Sequence, residues 1–226
     1  VNPFTINNIE ANVKQIYLKI METCCSVFVQ VDSDTDGFTS ASIFINYLQE
    51  RFPDLEINYA LHHGKEHGVE LSAVPAGTTV VIIPDAGSNQ YEEQEALVKE
   101  GKTVIILDHH EVTNFRDTGA IVVNNQTSEN FTNKNLSGAG VVYMFIKVFD
   151  DLYFPNNPIH RNYLDLAAIG IIADAMNMTA LGNNYIAYWG LQTVNNKFMY
   201  TLARKQEGGI KNPNKLTKID VEIGRA

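Results

Sequence analysis

The stretch from Val27 to Ser40 limits the possible folds of this chain more than any other. Val27, Phe28, Val29 and Val31 form the continuous apolar run of a strand buried on both faces. The run ends in three carboxylates on alternate residues, Asp32, Asp34 and Asp36, and Gly37 follows. Ile43, Phe44, Tyr47 and Leu48 then recur at helical spacing. A strand that hands Asp-x-Asp-x-Asp-Gly straight to a helix is a unit of an open α/β sheet. Its acidic side chains then stand in the crevice outside the carboxyl edge, where such folds bind ligands. Three clustered carboxylates repel one another, and a hard divalent cation with oxygen ligands is the simplest relief. The competing reading is an acidic turn in which one Asp caps the helix and the others are solvated. The spacing is not that of an EF-hand loop, because no Gly-x5-Glu completion follows.

The rest of the chain repeats this grammar. Ile9, Val13, Ile16 and Ile20 mark an amphipathic lead helix over residues 5–23. The helix after the acidic turn runs to about Arg51 and is ended by Phe52-Pro53. A second strand spans Glu56 to Leu61 and enters a loop, His62 to Gly68, with the densest histidine cluster of the chain. A third strand, Thr79 to Pro84, ends in Asp85-Ala86-Gly87, and a helix follows over 90–100. A fourth, Thr103 to Leu107, ends in Asp108-His109-His110, and a short fifth, Ala120 to Val123, ends in Asn124-Asn125. Strands alternating with helices predict an α/β fold with a mostly parallel five-stranded sheet, helices on both faces and a helical C-terminal part.

Downstream, Ser137 is placed to cap a helix that begins near Gly138 and Gly140. The glycines there either admit a phosphate to the helix N-terminus or allow tight packing on the sheet. A helix from about His160 contains Asp174 within a strongly apolar segment, so that carboxylate needs a partner if buried. A last long helix is expected from Tyr185 to about Lys205, with Tyr188 and Trp189 in the core. Residues 1–205 read as one domain, and 206–226, rich in Gly, Asn and Lys, as a linker or tail.

Composition narrows the function classes. No apolar run reaches the ~18–20 residues of a membrane span, and the N-terminus lacks a signal-peptide pattern. The only cysteines, Cys24 and Cys25, are adjacent and frame no disulfide scaffold, so a reducing, cytoplasmic setting is expected. A net charge of −9 opposes diffuse binding to a polyanion. A phosphate-bearing substrate would therefore need metal ions or a local basic patch.

Position supplies the strongest argument. In a parallel sheet, Asp32/Asp34/Asp36, Asp85 and Asp108/His109/His110 all emerge along one edge, although they are far apart in sequence. Each has an ordinary explanation alone, as a turn former or helix cap. Their coincidence on one edge favours a metal site.

In order and spacing, Asp34-Thr-Asp36-Gly-Phe-Thr-Ser, Pro84-Asp85-Ala-Gly, Asp108-His109-His110 and Ile171-Ile-Ala-Asp174 resemble the four motifs of the DHH phosphoesterase superfamily. Within it the chain is most similar to RecJ-type single-strand-specific exonucleases. Further matches are Leu136-Ser-Gly-Ala-Gly140, Leu181-Gly-Asn-Asn and Gly190-Leu-Gln-Thr-Val-Asn. The resemblance covers residues 25–205 and implies a metal-dependent phosphodiester hydrolase with two divalent cations, Mn²⁺ or alternatively Mg²⁺. It implies that Asp36, Asp85, His109 and Asp174 hold one cation and that Asp34 and Asp85 hold the other, with Asp85 bridging. His110 would contact the scissile phosphate, Asp108 would orient a histidine, and His62, His63 or Lys65 would face the substrate, as would Ser137 and Gly138.

Two departures stand out. Several family branches carry a histidine four residues before the carboxylate matched by Asp34; here that position is Gln30, and Asp32 is expected to compensate as a ligand. Relatives also continue into a second domain that grips the substrate, so a partner domain completing the cleft is expected beyond this chain. The leading expectation is the catalytic domain of a 5′→3′ single-stranded DNA exonuclease. The alternatives are hydrolysis of short oligonucleotides, cyclic dinucleotides or pyrophosphate, and a non-catalytic scaffold.

Overall fold

Strand β1 (Ser26–Val31) lies inside a five-stranded sheet of order β2-β1-β3-β4-β5. The other strands are β2 (Glu56–Leu61), β3 (Val80–Pro84), β4 (Thr103–Asp108) and β5 (Ile121–Asn124), and every pairing is parallel. The computed structural model describes residues 1–22, 24–62, 67–205, 210 and 212–223. The chain winds outward from β1 to β2, then crosses back over β1 to β3, so the strand order reverses between β1 and β3. That reversal opens a crevice at the carboxyl ends of these two strands. The sequences leaving them are Asp32–Asp36 and Asp85.

Alternation along the strands sends apolar side chains to two cores. Val27, Val29, Val31, Val80, Ile82, Ile105, Leu107 and Val123 face the larger. It is built with α1 (Ile9–Ile20), α2 (Thr35–Arg51), α4 (Gly138–Tyr153), α5 (Leu164–Ala173) and α6 (Leu181–Gln192). Phe28, Val81, Ile83, Val104 and Ile106 face the smaller, where Leu97 of α3 (Tyr91–Lys99) packs with Val69 and Ala86. Helices thus cover both faces of a fully parallel sheet, as the alternation of strands and helices predicts.

A buried charge knot ties the larger core together. Asp150, near the end of α4, accepts from Tyr47 Oη at 2.7 Å and from Arg51, both on α2. Its second oxygen accepts the backbone N–H groups of Ile159 and His160 and faces His160 Nδ1 at 2.9 Å. Burial pushes the Asp150 carboxyl up, but His160, Tyr47 and Arg51 outweigh it and bring it down to about 2.

The helical C-terminal part departs from its reading in several places. The lead helix is Ile9–Ile20, preceded by a single 3-10 turn over Pro3–Thr5. Instead of one long helix from Tyr185 to Lys205 there are two, α6 and α7 (Lys197–Lys205). The break is set by Asp165, a buried carboxylate on α5 that takes the N–H groups of Asn195 and Asn196 at 2.7 Å each. Those donors are free only where the helix is interrupted. Tyr188 and Trp189 are not core residues: they are 58% and 52% exposed, because α6 turns Gly190 and Ala187 toward α5 instead. In the segment read as a tail, Leu216 is buried and its N–H bonds Leu191 O at 3.0 Å; α8 (Lys218–Ile223) follows and approaches α5. Among the described residues no helix is long and apolar enough to cross a membrane.

Candidate metal centre

Register brings the strand ends level. Val31 pairs with Leu61, Pro84 with Leu107 and Asp108 with Asn124, so the residues that follow or close these strands share one edge. Asp34 caps α2 by accepting from Gly37 N at 2.8 Å and stands exposed at the rim. Asp36, in the first turn of α2, is buried and reaches the N-terminus of α4. There Ser137 Oγ (2.8 Å), Gly138 N (2.6 Å) and Ala139 N (3.1 Å) all donate to its carboxylate. The positive end of α4 is therefore spent on a protein anion. This corrects the placement of Ser137 and Gly138 as substrate contacts: both are buried, with their donors taken by Asp36, although Ser137 does cap α4 as expected.

Asp85 follows Pro84 directly and is 2% exposed. Its φ of +67° is a left-handed conformation that Asp and Asn tolerate better than most residues, and it turns the carboxylate inward. Asp174 sits at the C-terminal cap of α5, not within the helix as its apolar surroundings suggested, which leaves it half-buried at the mouth of the site. His109 joins them: its Nε2 lies 3.2 Å from Asp85 Oδ1, 3.7 Å from Asp174 Oδ2 and 3.9 Å from Asp36 Oδ2. Yet Asp85 Oδ1 and Asp174 Oδ2 are buried atoms with no hydrogen-bond partner. Burial pushes the carboxyls of Asp36, Asp85 and Asp174 above the ordinary range. The charge of Asp36 adds to the rise at Asp85 and Asp174.

Ligand atoms gather in three overlapping groups, each within 4.8 Å: Asp36/His109/Asp174, Asp85/His109/His110 and Asp32/Asp34/Asp85. Asp85 belongs to two of them, and so does His109. Buried carboxylate oxygens that accept no hydrogen bond, next to an imidazole nitrogen, fit a divalent cation.

The surrounding bonds fix this arrangement. Asp108 accepts from Ser88 N (3.0 Å), His109 N (2.7 Å), His110 N (3.1 Å) and the His110 ring at Nδ1 (2.8 Å). Burial raises the Asp108 carboxyl, but His110 and the backbone donors hold it well below the usual carboxylate range. The hydrogen bond to Asp108 in turn raises His110, whose side chain is largely exposed. Asn124 and Gln126, which the sequence did not single out as site residues, hold the backbone of the pair. Asn124 Nδ2 donates to His110 O at 2.9 Å and to Ser88 Oγ at 3.0 Å, and Gln126 Nε2 donates to His109 O at 3.1 Å. Their signal was the polar end of the fifth strand.

The loop after β2 differs most from expectation. His62 turns its Nε2 onto Gly68 O, within its own loop, so it does not face the site, while His63 and Lys65 lie outside the described residues. His67, which the reading passed over, contacts Asp32 instead. Gln30 is buried and engaged with Ala60 O and Glu70 N, away from the carboxylates.

Residues 26–171 match the DHH family, N-terminal domain. The SPbeta prophage-derived protein YorK of Bacillus subtilis (strain 168), provisionally named a single-strand DNA-specific exonuclease, is 45% identical over 181 residues; these are 80% of this chain and 31% of YorK. The single-stranded-DNA-specific exonuclease RecJ of the same organism is 28% identical over 200 residues, 86% of this chain and 24% of RecJ. The chain thus spans less than a third of the length of these relatives. In fold it is similar to the crystal structure of RecJ in complex with Mn²⁺ from Thermus thermophilus, with a TM-score of 0.78 at 20% identity over 96% of this chain and 31% of that one. A second structure, exonuclease RecJ bound to manganese, gives a TM-score of 0.81 at 21% identity over 96% of this chain and 55% of that one. Since the match extends from the first strand into α5 and takes in Asp34, Asp36, Asp85 and the Asp108-His109-His110 triplet, the chain belongs to the DHH family.

Proposed function

We propose that this chain is the catalytic domain of a RecJ-like single-strand-specific DNA exonuclease that hydrolyses phosphodiesters with two divalent cations. The observation that carries the reading is the meeting of His109 with carboxylates from three separate elements, two of them with buried oxygens that accept no hydrogen bond. Asp36, Asp85, His109 and Asp174 hold one cation; Asp34 and Asp85, with Asp32 close by, hold the other. Manganese is the proposed ion and magnesium the alternative, in keeping with the manganese in the RecJ structures of the same fold. Bound there, two divalent cations would acidify a water and offset charge that builds on the phosphate and the leaving oxygen.

The protein groups divide the remaining work. Asp108 fixes the His110 ring through Nδ1 and leaves the rest of that largely exposed imidazole facing the crevice mouth, where a scissile phosphate is bound. The same carboxylate pins the backbone N–H of His109, so its Nε2 keeps its place among the three carboxylates. In a chain of net charge −9, the residues that would hold the cations, Asp34, Asp36, Asp85, His109 and Asp174, are also where a positive field for a polyanion would be concentrated. Relatives carry more than two thirds of their length outside the matched region, so substrate capture and 5′→3′ direction are assigned to a whole protein in which this domain acts with others.

The test is to incubate the chain, and any longer natural form of it, with 5′-labelled single-stranded DNA, a dinucleotide and pyrophosphate under Mn²⁺. Mononucleotides released from long DNA, lost in Asp36→Asn, support the proposal. Cleavage confined to the dinucleotide or pyrophosphate assigns the site to small substrates, and tight Mn²⁺ binding without turnover of any of the three makes the domain a scaffold.

A further inference from the structure

The group formed by Asp32, Asp34 and Asp85 contains carboxylates alone, and the three differ in how they are held. Asp34 is tied to the start of α2 and Asp85 is fixed by its backbone turn. Asp32 is buried at the end of β1, where a carboxylate could rotate about its own Cβ–Cγ bond unless something stopped it. His67 stops it. Its Nδ1 lies 2.8 Å from Asp32 Oδ2 and 3.0 Å from Oδ1, astride the carboxylate, while Ser33 N donates to Oδ1 at 2.8 Å.

His67 reaches this position across 35 residues of sequence, and its own carbonyl and the residues just after it are fastened to neighbouring elements. Gln90, just ahead of α3, donates to His67 O at 3.4 Å and accepts from Val69 N at 2.6 Å. Gln30 of β1 accepts from Glu70 N at 3.2 Å and donates to Ala60 O at 3.2 Å. The side chain at the head of this anchored stretch is nonetheless 63% exposed. A ring so open to solvent buries little surface of its own, so its packing contributes little to folding. Three anchors that hold a solvent-facing ring onto one buried carboxylate therefore point to the carboxylate's orientation as what is gained. Carboxylates that bind metals are oriented by such outer hydrogen bonds, and their loss weakens metal affinity about 10- to 100-fold.

We infer that His67 is a positioning residue for the cation held by Asp32, Asp34 and Asp85. It clamps both Asp32 oxygens from outside so that their remaining lone pairs face the crevice. The inference rests on the two-cation reading above and adds to it a residue from the β2 loop that sets the affinity of one cation and not the other.

Mn²⁺ binding, followed by electron paramagnetic resonance of the free ion and by calorimetry, tests this without any substrate. Wild type should take up two ions. His67→Ala should weaken one of them by about 10- to 100-fold, keep the other within about twofold, and unfold within a degree or two of wild type when metal-free. His67→Gln, whose amide N–H still reaches a carboxylate, should recover part of the loss. Two ions bound by His67→Ala with wild-type affinity would overturn the inference and leave the two-cation reading intact. Fewer than two ions bound by wild type would overturn both. Equal weakening of both ions, or a large drop in metal-free stability, would make His67 a structural residue and also overturn it.

Discussion

Removing one negative charge from the candidate site should make the metal-free protein more stable and blind to manganese. Asp85→Asn is the informative change, because Asn keeps the side-chain shape and accepts the φ of +67° that would strain Ala. Two full charges no more than 4.8 Å apart, the limit within the Asp32/Asp34/Asp85 group, repel by at least about 3.5 kcal/mol at an effective dielectric of about 20. Burial, followed by the charge of Asp36, drives the Asp85 carboxyl well above its ordinary value, so part of that repulsion is already relieved by protonation. Asn should therefore gain about 1–2 kcal/mol, which for a chain of this size is a rise of roughly 2–8 °C in Tm. The sign also predicts a pH trend. A carboxyl raised by folding favours the folded state at low pH, and that contribution is lost as pH climbs from the ordinary value of 3.8 through the raised one. Metal-free wild type should thus lose stability over that range, and Asp85→Asn should lose less. Thermal unfolding with and without Mn²⁺ is the assay. At a concentration of about 100 times Kd, a single bound ion contributes about 2.7 kcal/mol, or roughly 5–11 °C, in wild type. The variant should shift by less than about 2 °C, under one kcal/mol on the same scale. A metal-free Asp85→Asn several degrees below wild type, or one with the full manganese shift, would refute the reasoning.

Asp150 should behave in the opposite way, since His160, Tyr47 and Arg51 overcome its burial and bring it down from 3.8 to about 2. Its contribution, about 2.5 kcal/mol for such a shift, is complete above the ordinary value and disappears as pH falls through about 2; urea unfolding across that range measures it. Asp150→Ala leaves Arg51 buried without its partner and should cost about 3–5 kcal/mol in the same assay. In Gly138→Ala, the new Cβ would collide with Asp85 Oδ1 and stand 2.6 Å from Asp85 Cβ. The variant should lose Mn²⁺ binding by calorimetry and about 1–3 kcal/mol of stability, as overpacked sites do. Asp108→Asn frees the His110 ring and should lower kcat about 10- to 100-fold on single-stranded DNA while two Mn²⁺ still bind; loss of metal binding instead would place Asp108 among the ligands.

What the sequence made legible was whatever sits at a strand end. The apolar runs before Asp32, Asp85 and Asp108 are strongly patterned, and the parallel geometry of the sheet then puts their ends together without further information. What it hid was set by hydrogen bonds between remote groups. The local signal for a break after Gln192 is slight, a single Asn196 whose Oδ1 caps α7 by accepting from Met199 N at 3.1 Å; the interruption is held from another helix by the buried Asp165. Likewise, the Leu136 to Gly140 stretch reads as an anion site because helix N-termini bind anions. The anion turned out to be Asp36 of the same chain, supplied from 101 residues earlier. That His67 meets a site carboxylate while His62 turns to Gly68 O depended on loop geometry, which periodicity does not encode.

The site separates its carboxylates into those the protein satisfies and those it leaves open. Asp36 has three donors from the head of α4, Asp108 has four contacts, and Asp32 has His67 and Ser33. Asp85 and Asp174 keep buried oxygens that accept no hydrogen bond, although His109 Nε2 stands near both. Satisfied carboxylates make a rigid frame, and open ones hold free energy that a cation can release. Substitution should therefore split along the same line. Asp174→Asn, like Asp85→Asn, should leave the fold at least as stable while weakening Mn²⁺. Asp36→Ala should cost about 1–3 kcal/mol as well as the metal, because Ser137 Oγ, Gly138 N and Ala139 N would be left buried without their acceptor. Urea denaturation of the two variants, each in chelator and in Mn²⁺, separates the roles. If Asp36→Ala were as stable as Asp174→Asn in chelator, the frame would not depend on the head of α4, and Asp36 would be a ligand with no part in holding the helices together.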